Sequence, residues 1–157
     1  MKLLSIASAV VWVDFITILL SKFFHLGRSL DKWYQQFGIV AVLSDCLVIV
    51  LGILLAFILF PNASFEQLLF IVVVIQLFHD ILFFKFIIQP LPVGTNKIID
   101  LFKEYANENS WKILVADSLM ISSTLCIAQY LDSYSSILSS FVGLLGLYSL
   151  TYIISTK

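Results

Sequence analysis

The chain has 157 residues, 61% of them hydrophobic and 12% charged, with a formal net charge of −1 and a mean hydropathy of +1.04. Soluble domains run near about 45–50% apolar and about 25% charged, so the composition excludes an ordinary soluble domain and describes one polytopic membrane domain over residues 1–157. Nine Lys and Arg against ten Asp and Glu leave no basic field to hold nucleic acid.

A bilayer-spanning helix needs about 20 mainly apolar residues. The first segment that qualifies is Leu3 to Phe24. Its start, Met1-Lys2 before an apolar run, has the outline of a signal peptide. Asp14 interrupts that run, and Ala7-Ser8-Ala9 comes too early for a cleavage site, so the segment reads as a retained first helix. Leu30 to Phe37 reads as a short amphipathic stretch with Trp33 and Tyr34 as membrane-interface anchors. The second span is Phe37 to Phe60, ended by Pro61-Asn62, and the third is Phe65 to Ile88, ended by Gln89-Pro90-Leu91-Pro92.

Between the third and fourth spans, Asn96 to Asn109 places Ile98, Ile99, Phe102 and Tyr105 at helical spacing, with Lys97, Asp100, Lys103, Glu104 and Glu108 between them. This pattern predicts an amphipathic helix lying at the interface. The fourth span is Trp111 to Leu131 and the fifth Ser135 to Ile154. A four-span arrangement with a terminal hairpin around Asp132-Ser133 also fits. The expected fold class is therefore an all-α membrane protein with five transmembrane helices, or four.

Lys22, Arg28 and Lys32 flank the first loop, and Lys85, Lys97, Lys103 and Lys112 flank the third; the second and fourth loops carry no Lys or Arg. The positive-inside rule places loops one and three in the cytoplasm. The N-terminus is then outside and Lys157 inside. The sequon at Asn62-Ala63-Ser64 falls outside, too close to a helix end to expect glycosylation. Cys46 and Cys126 sit in apolar runs without a metal or redox spacing, and read as packing thiols.

Four acids interrupt the spans: Asp14, Asp45, Asp80 and Asp117. Each costs about 2.5–3.5 kcal/mol at a helix centre. With the orientation above and a rise of 1.5 Å per residue, all four lie roughly 9–15 Å from the cytoplasmic helix ends. They form one layer. Gly38, Ala41, Gly52 and Ala56 share a face with Asp45; Thr124 and Ala128 share one with Asp117; Ala7, Thr17 and Ser21 share one with Asp14. Small and hydroxyl residues mark helix–helix contacts in membranes, so the acids are expected to face a shared interior. The fifth span offers its own small face at Ser136, Ser139, Ser140 and Gly143.

Ala41 to Ile49 aligns without a gap on Ile113 to Ile121, matching Asp45 with Asp117, and Asp14 then corresponds to Asp80. A repeat of two spans per unit implies a pseudo-twofold along the membrane normal.

The acids with Gln76 and His79 make the candidate intramembrane polar or ion site. Two uses compete. In one the acids are a polar clamp, met by Ser44, Ser118, Thr17 and tyrosines, with Lys22 or Lys85 reaching inward. In the other they carry a proton or cation. The His79-Asp80 pair lacks a nucleophile and an oxyanion device, and is expected to be a hydrogen-bonded core histidine. With His25 the only other histidine, a His-based metal site lacks ligands. No catalytic residue, metal or cofactor is assigned.

The run Thr95-Asn96-Lys97-Ile98-Ile99-Asp100-Leu101-Phe102-Lys103-Glu104-Tyr105-Ala106, followed by Ala116-Asp117-Ser118-Leu119-Met120, resembles a little-characterised family of multi-pass membrane proteins encoded by large DNA viruses of algae and protists. The resemblance spans about residues 94–130. It implies residence in a host membrane or a virion's internal membrane, and it carries no catalytic signature. The expected function is a structural or assembly role, with the bilayer, further copies of the chain and other membrane or capsid proteins as partners. The alternative is a proton-coupled or cation transporter.

Overall fold

The structure, a computed structural model, describes residues 1–24 and 26–156. His25, expected near a loop, and Lys157, expected inside, lie outside the described residues. The described residues form helices and no strand: α1 (Leu3–Phe24), α2 (Arg28–Phe37), α3 (Ile39–Leu59), α4 (Phe65–Phe83, continued by a π-helical turn Phe84–Ile88), α5 (Lys97–Asn109), α6 (Lys112–Asp132) and α7 (Ser136–Ser155). Five of these, α1, α3, α4 with its π turn, α6 and α7, are long and apolar enough to cross a membrane.

Local chemistry sets the helix ends. Ser64 and Gln67 form a capping box at the start of α4. Asn96 Oδ1 accepts from the Ile98 N–H at 2.8 Å to start α5, and Ser135 Oγ accepts from the Leu138 N–H at 3.2 Å to start α7. Each supplies an acceptor to an N–H that has no partner within its helix. Pro90 and Pro92 cannot continue α4.

The order of a long helix, a short helix and a long helix occurs twice, as α1–α2–α3 and α4–α5–α6, followed by α7. The unit is thus larger than the two spans expected. Its signature is the corner before the second span. Gly38 turns α2 into α3 at φ 48°, ψ −119°, its N–H bonded to the Tyr34 carbonyl. Ser110 turns α5 into α6 at φ 49°, ψ −127°, its N–H bonded to the Ala106 carbonyl. Both positions follow the same alignment that matches Asp45 with Asp117. Packing repeats too: α1 on α3 answers α4 on α6, and α1 on α6 answers α3 on α4.

The short helices α2 and α5 lie against each other. They run antiparallel: Lys32 pairs with Glu104 at 2.5 Å, while Glu108 reaches back to the start of α2, accepting from the N–H groups of Arg28 and Ser29 at 2.8 Å each. Together they make a platform over one end of the bundle.

Helix α7 stands outside the repeat and packs on α1. The helices approach closely because α7 presents Ser139, Gly143 and Gly146. Ser8 Oγ donates to the Ser139 carbonyl at 2.7 Å, and Trp12 Nε1 donates to the Val142 carbonyl at 2.9 Å. A Cβ at Gly143 would stand 2.5 Å from Ser8 Oγ, and one at Gly146 2.8 Å from Val11 Cγ1. With lipid on the outside giving no hydrophobic drive to association, such close backbone packing holds the pair. Ser136, assigned to this face from spacing, is exposed, and Gly146 takes its place deeper in the contact.

Candidate functional site

The platform sets the site. Trp33 and Tyr34 occupy adjacent positions on α2 and are each 4% exposed. They are not interface anchors. Leu30, Trp33, Tyr34 and Phe37 form the apolar stripe of α2, and that stripe turns onto the bundle. A buried indole N–H or phenol O–H needs an acceptor, and Asp45 supplies it. Trp33 Nε1 lies 3.0 and 3.3 Å from the two Asp45 oxygens. The Tyr34 hydroxyl lies 2.9 Å from Asp45 Oδ2 and 3.4 Å from Asp14 Oδ1. One residue of the platform thus joins the acids of α1 and α3.

Asp14 is fully buried, and its Oδ2 meets no partner. In the second unit, Asp80 Oδ1 accepts from Gln76 Nε2 at 2.8 Å and lies 3.0 Å from His79 Nδ1; Asp80 Oδ2 is buried without a partner. His79 is not a core residue. Its side chain is 45% exposed and its ring stacks on Phe83 at 5.7 Å. Gln76, by contrast, is buried.

Tyr105 brings the remaining acid into the group. It precedes Asp117 by the interval that separates Trp33 from Asp45, and it lies on the platform as Trp33 does. Burial raises its phenol well above the ordinary range, followed by the negative charges of Asp117, Asp45, Glu108 and Asp80. Tyr34 is raised likewise, by burial first and then by Asp45 and Asp14. Two phenols on the platform therefore sense all four acids from above. Phe102 of α5 packs on Trp33 at 4.9 Å and on Phe83 at 6.2 Å, tying the two units beneath the platform.

Several expected partners of the acids go elsewhere. Thr17, Ser44 and Ser118 donate to the carbonyls of Val13, Val40 and Leu114, one turn back in their own helices. That acceptor is always in reach of a helical hydroxyl, and in an apolar layer it wins. Lys22 donates to the Thr156 carbonyl at the end of α7, and Lys85 is exposed. Among the described residues, the salt bridges of Lys and Arg side chains are confined to Lys32–Glu104 on the platform. The small residues expected beside the acids are placed as read: Ala41, Ala56, Thr124 and Ala128 are fully buried and Ser21 nearly so.

Sequence pattern missed Trp33, Tyr34 and Tyr105 as site residues. The available signal was the shared interval from Trp33 to Asp45 and from Tyr105 to Asp117, inside the same alignment.

Five apolar spans and two short helices packed against each other define an all-α polytopic membrane protein. Comparison with protein-family models, with curated proteins and with solved structures finds no match to the chain.

Proposed function

We propose that the protein is a structural component of a membrane, in which the intramembrane acids dock the amphipathic platform onto the spans. The observation that supports this is the double donation from Trp33 and Tyr34 to Asp45. Hydrogen bonds to a charged acceptor contribute about 1.5–3 kcal/mol, enough to fix where α2 sits. Partners in this reading are lipid, further copies of the chain, and membrane or capsid proteins. The resemblance of Thr95 to Met120 favours the internal membrane of a virus particle or a host membrane. The run of basic residues on the platform side, Arg28, Lys32, Lys97 and Lys103 among them, supports a cytoplasmic platform. The test replaces Asp45 and Asp117 by Asn and follows assembly state and detergent stability of the purified protein. Asn at both positions without effect on either would end this reading.

A second reading has its own observation. Asp14 and Asp80 each keep a buried oxygen without a partner, as a proton or cation carrier would. It predicts flux in proteoliposomes under an imposed gradient, abolished by Asp80→Asn. Folded protein that passes neither protons nor alkali cations would exclude it.

A further inference from the structure

A phenol carries one proton, yet the Tyr34 hydroxyl stands between two carboxyl groups. It lies nearer Asp45 Oδ2, at 2.9 Å, than Asp14 Oδ1, at 3.4 Å. Its proton therefore goes to Asp45. Asp14 then has no donor from the protein: Oδ2 is buried without a partner, and the side chain is fully enclosed. An ionised carboxylate so placed would have neither hydrogen bond nor cation, which is the most costly state for a buried group. One arrangement gives each of the two contacts a proton and leaves Asp14 Oδ2 a neutral carbonyl oxygen rather than an unpaired charge. Asp14 carries a proton and donates it to the Tyr34 oxygen, and Tyr34 donates its own to Asp45.

We propose that Asp14, Tyr34 and Asp45 form a proton-binding site, a directed chain in which one exchangeable proton is held between two spans by the platform phenol. Two carboxyl groups on one phenol resemble any pair of acids sharing a site: both cannot be ionised cheaply, and they titrate as a unit. The groups around the chain do not replace the proton. From α3, the Cys46 thiol feels Asp14 and Asp45. From α5, Tyr105 is a second phenol, near Asp45. From α6, Asp117 is a further acid beside Asp45 and brings no cation to the site. Helix α7 contributes no ionisable group except its tyrosines, Tyr148 and Tyr152, which bond each other at 2.9 Å and are exposed. The hydrogen bonds run in one direction, so each strengthens the next. Moving the proton from Asp14 to Asp45 reverses both bonds and leaves the count of atoms and charge unchanged.

This inference goes beyond the docking role and can fail independently of it, since docking is read in assembly and the proton in a carboxyl vibration. The experiment is infrared difference spectroscopy of the full chain in liposomes near neutral pH. The wild type should show a protonated-carboxyl C=O stretch, distinct from carboxylate bands and shifted in D2O. Asp14→Asn should lose that band while Asp80→Asn keeps it. Tyr34→Phe, which retains both acids, should shift the band because Asp14 loses its acceptor; this variant serves if Asp14→Asn does not fold. Absence of the band in folded wild type overturns the proposal. So does a band that survives Asp14→Asn, or one that Tyr34→Phe leaves in place. Loss of the wild-type band on adding sodium at constant pH would assign the position to a metal cation and also overturn it.

Discussion

The Trp33 indole N–H reaches both oxygens of Asp45, at 3.0 and 3.3 Å, around the corner where α2 turns into α3. Trp33→Phe keeps an aromatic ring against Phe102 and removes the donor together with the five-membered ring's volume. It should cost about 1–3 kcal/mol, the range for a buried polar group left short of a partner. Asp45→Asn should cost a similar amount. In the double variant the losses should not add, with a coupling of about 0.5–3 kcal/mol. Thermal unfolding in detergent of the four proteins checks this, and strictly additive losses would remove Asp45 as the anchor of α2.

The repeated corner gives an asymmetric pair of substitutions. Ser110 holds φ 49° without being glycine, where its counterpart at φ 48° is Gly38. A side chain in such a region stores on the order of 1–3 kcal/mol. Ser110→Gly should therefore raise the melting temperature, and Gly38→Ala should lower it. A drop in stability for Ser110→Gly would mean that its side chain matters more than its backbone.

Gly143→Ala should be among the most damaging single-methyl changes in the spans. The added carbon would stand on Ser8 Oγ, at 2.5 Å, and Ser8 Cα, at 3.3 Å, while Ser8 is already committed to the Ser139 carbonyl. Overpacking of this kind costs about 1–3 kcal/mol. The readout is the midpoint of thermal unfolding in detergent, which should fall well below that of the wild type. An unchanged midpoint would show that α1 and α7 shift apart without penalty.

The Glu108 latch predicts a pH effect with a definite sign. The Ser29 side chain, then the backbone N–H groups of Ser29 and Arg28, hold this carboxyl below the usual glutamate range. A depressed value in the folded state means the contribution is full above the ordinary range and is lost as pH falls through the lowered value. Protection of the amides at the start of α2, measured as the exchange rate relative to the intrinsic rate at each pH, should fall on acidification, and Glu108→Gln should flatten that dependence. Because Glu108 is exposed, the effect should be modest and should weaken with salt.

The spans were legible because each is an apolar run of the needed length, and the middle three are closed by Pro61-Asn62, Gln89-Pro90 and Asp132-Ser133. That Asp14 and Asp45 come together was legible from helical rise and alternating direction, and the Tyr34 hydroxyl stands between them. What periodicity could not reveal is which surface an amphipathic helix turns toward. The stripe through Trp33 and Tyr34 fits lipid and bundle equally, and only a buried acceptor in reach decides between them. Nor does a small-residue face name its partner: Ser139 and Gly143 signal close packing, but that α1 fills it depends on the whole arrangement. Hydroxyls near the acids misled because sequence proximity says nothing of the carbonyl one turn back.

The π turn at Phe84–Ile88, where the Gln89 N–H reaches the Phe84 carbonyl at 2.8 Å, holds one residue more than an α-helical turn would need. Deleting a residue there would simply restore regular winding, downstream of Asp80 and ahead of a loop able to take up the change. The same deletion in α6 between Lys112 and Asp117 would swing the acid about 100° around its axis. Length variation among descendants of this chain should therefore collect after Phe83 and be purged from the first turns of α6, a bias that a deletion library selected for folding would expose directly.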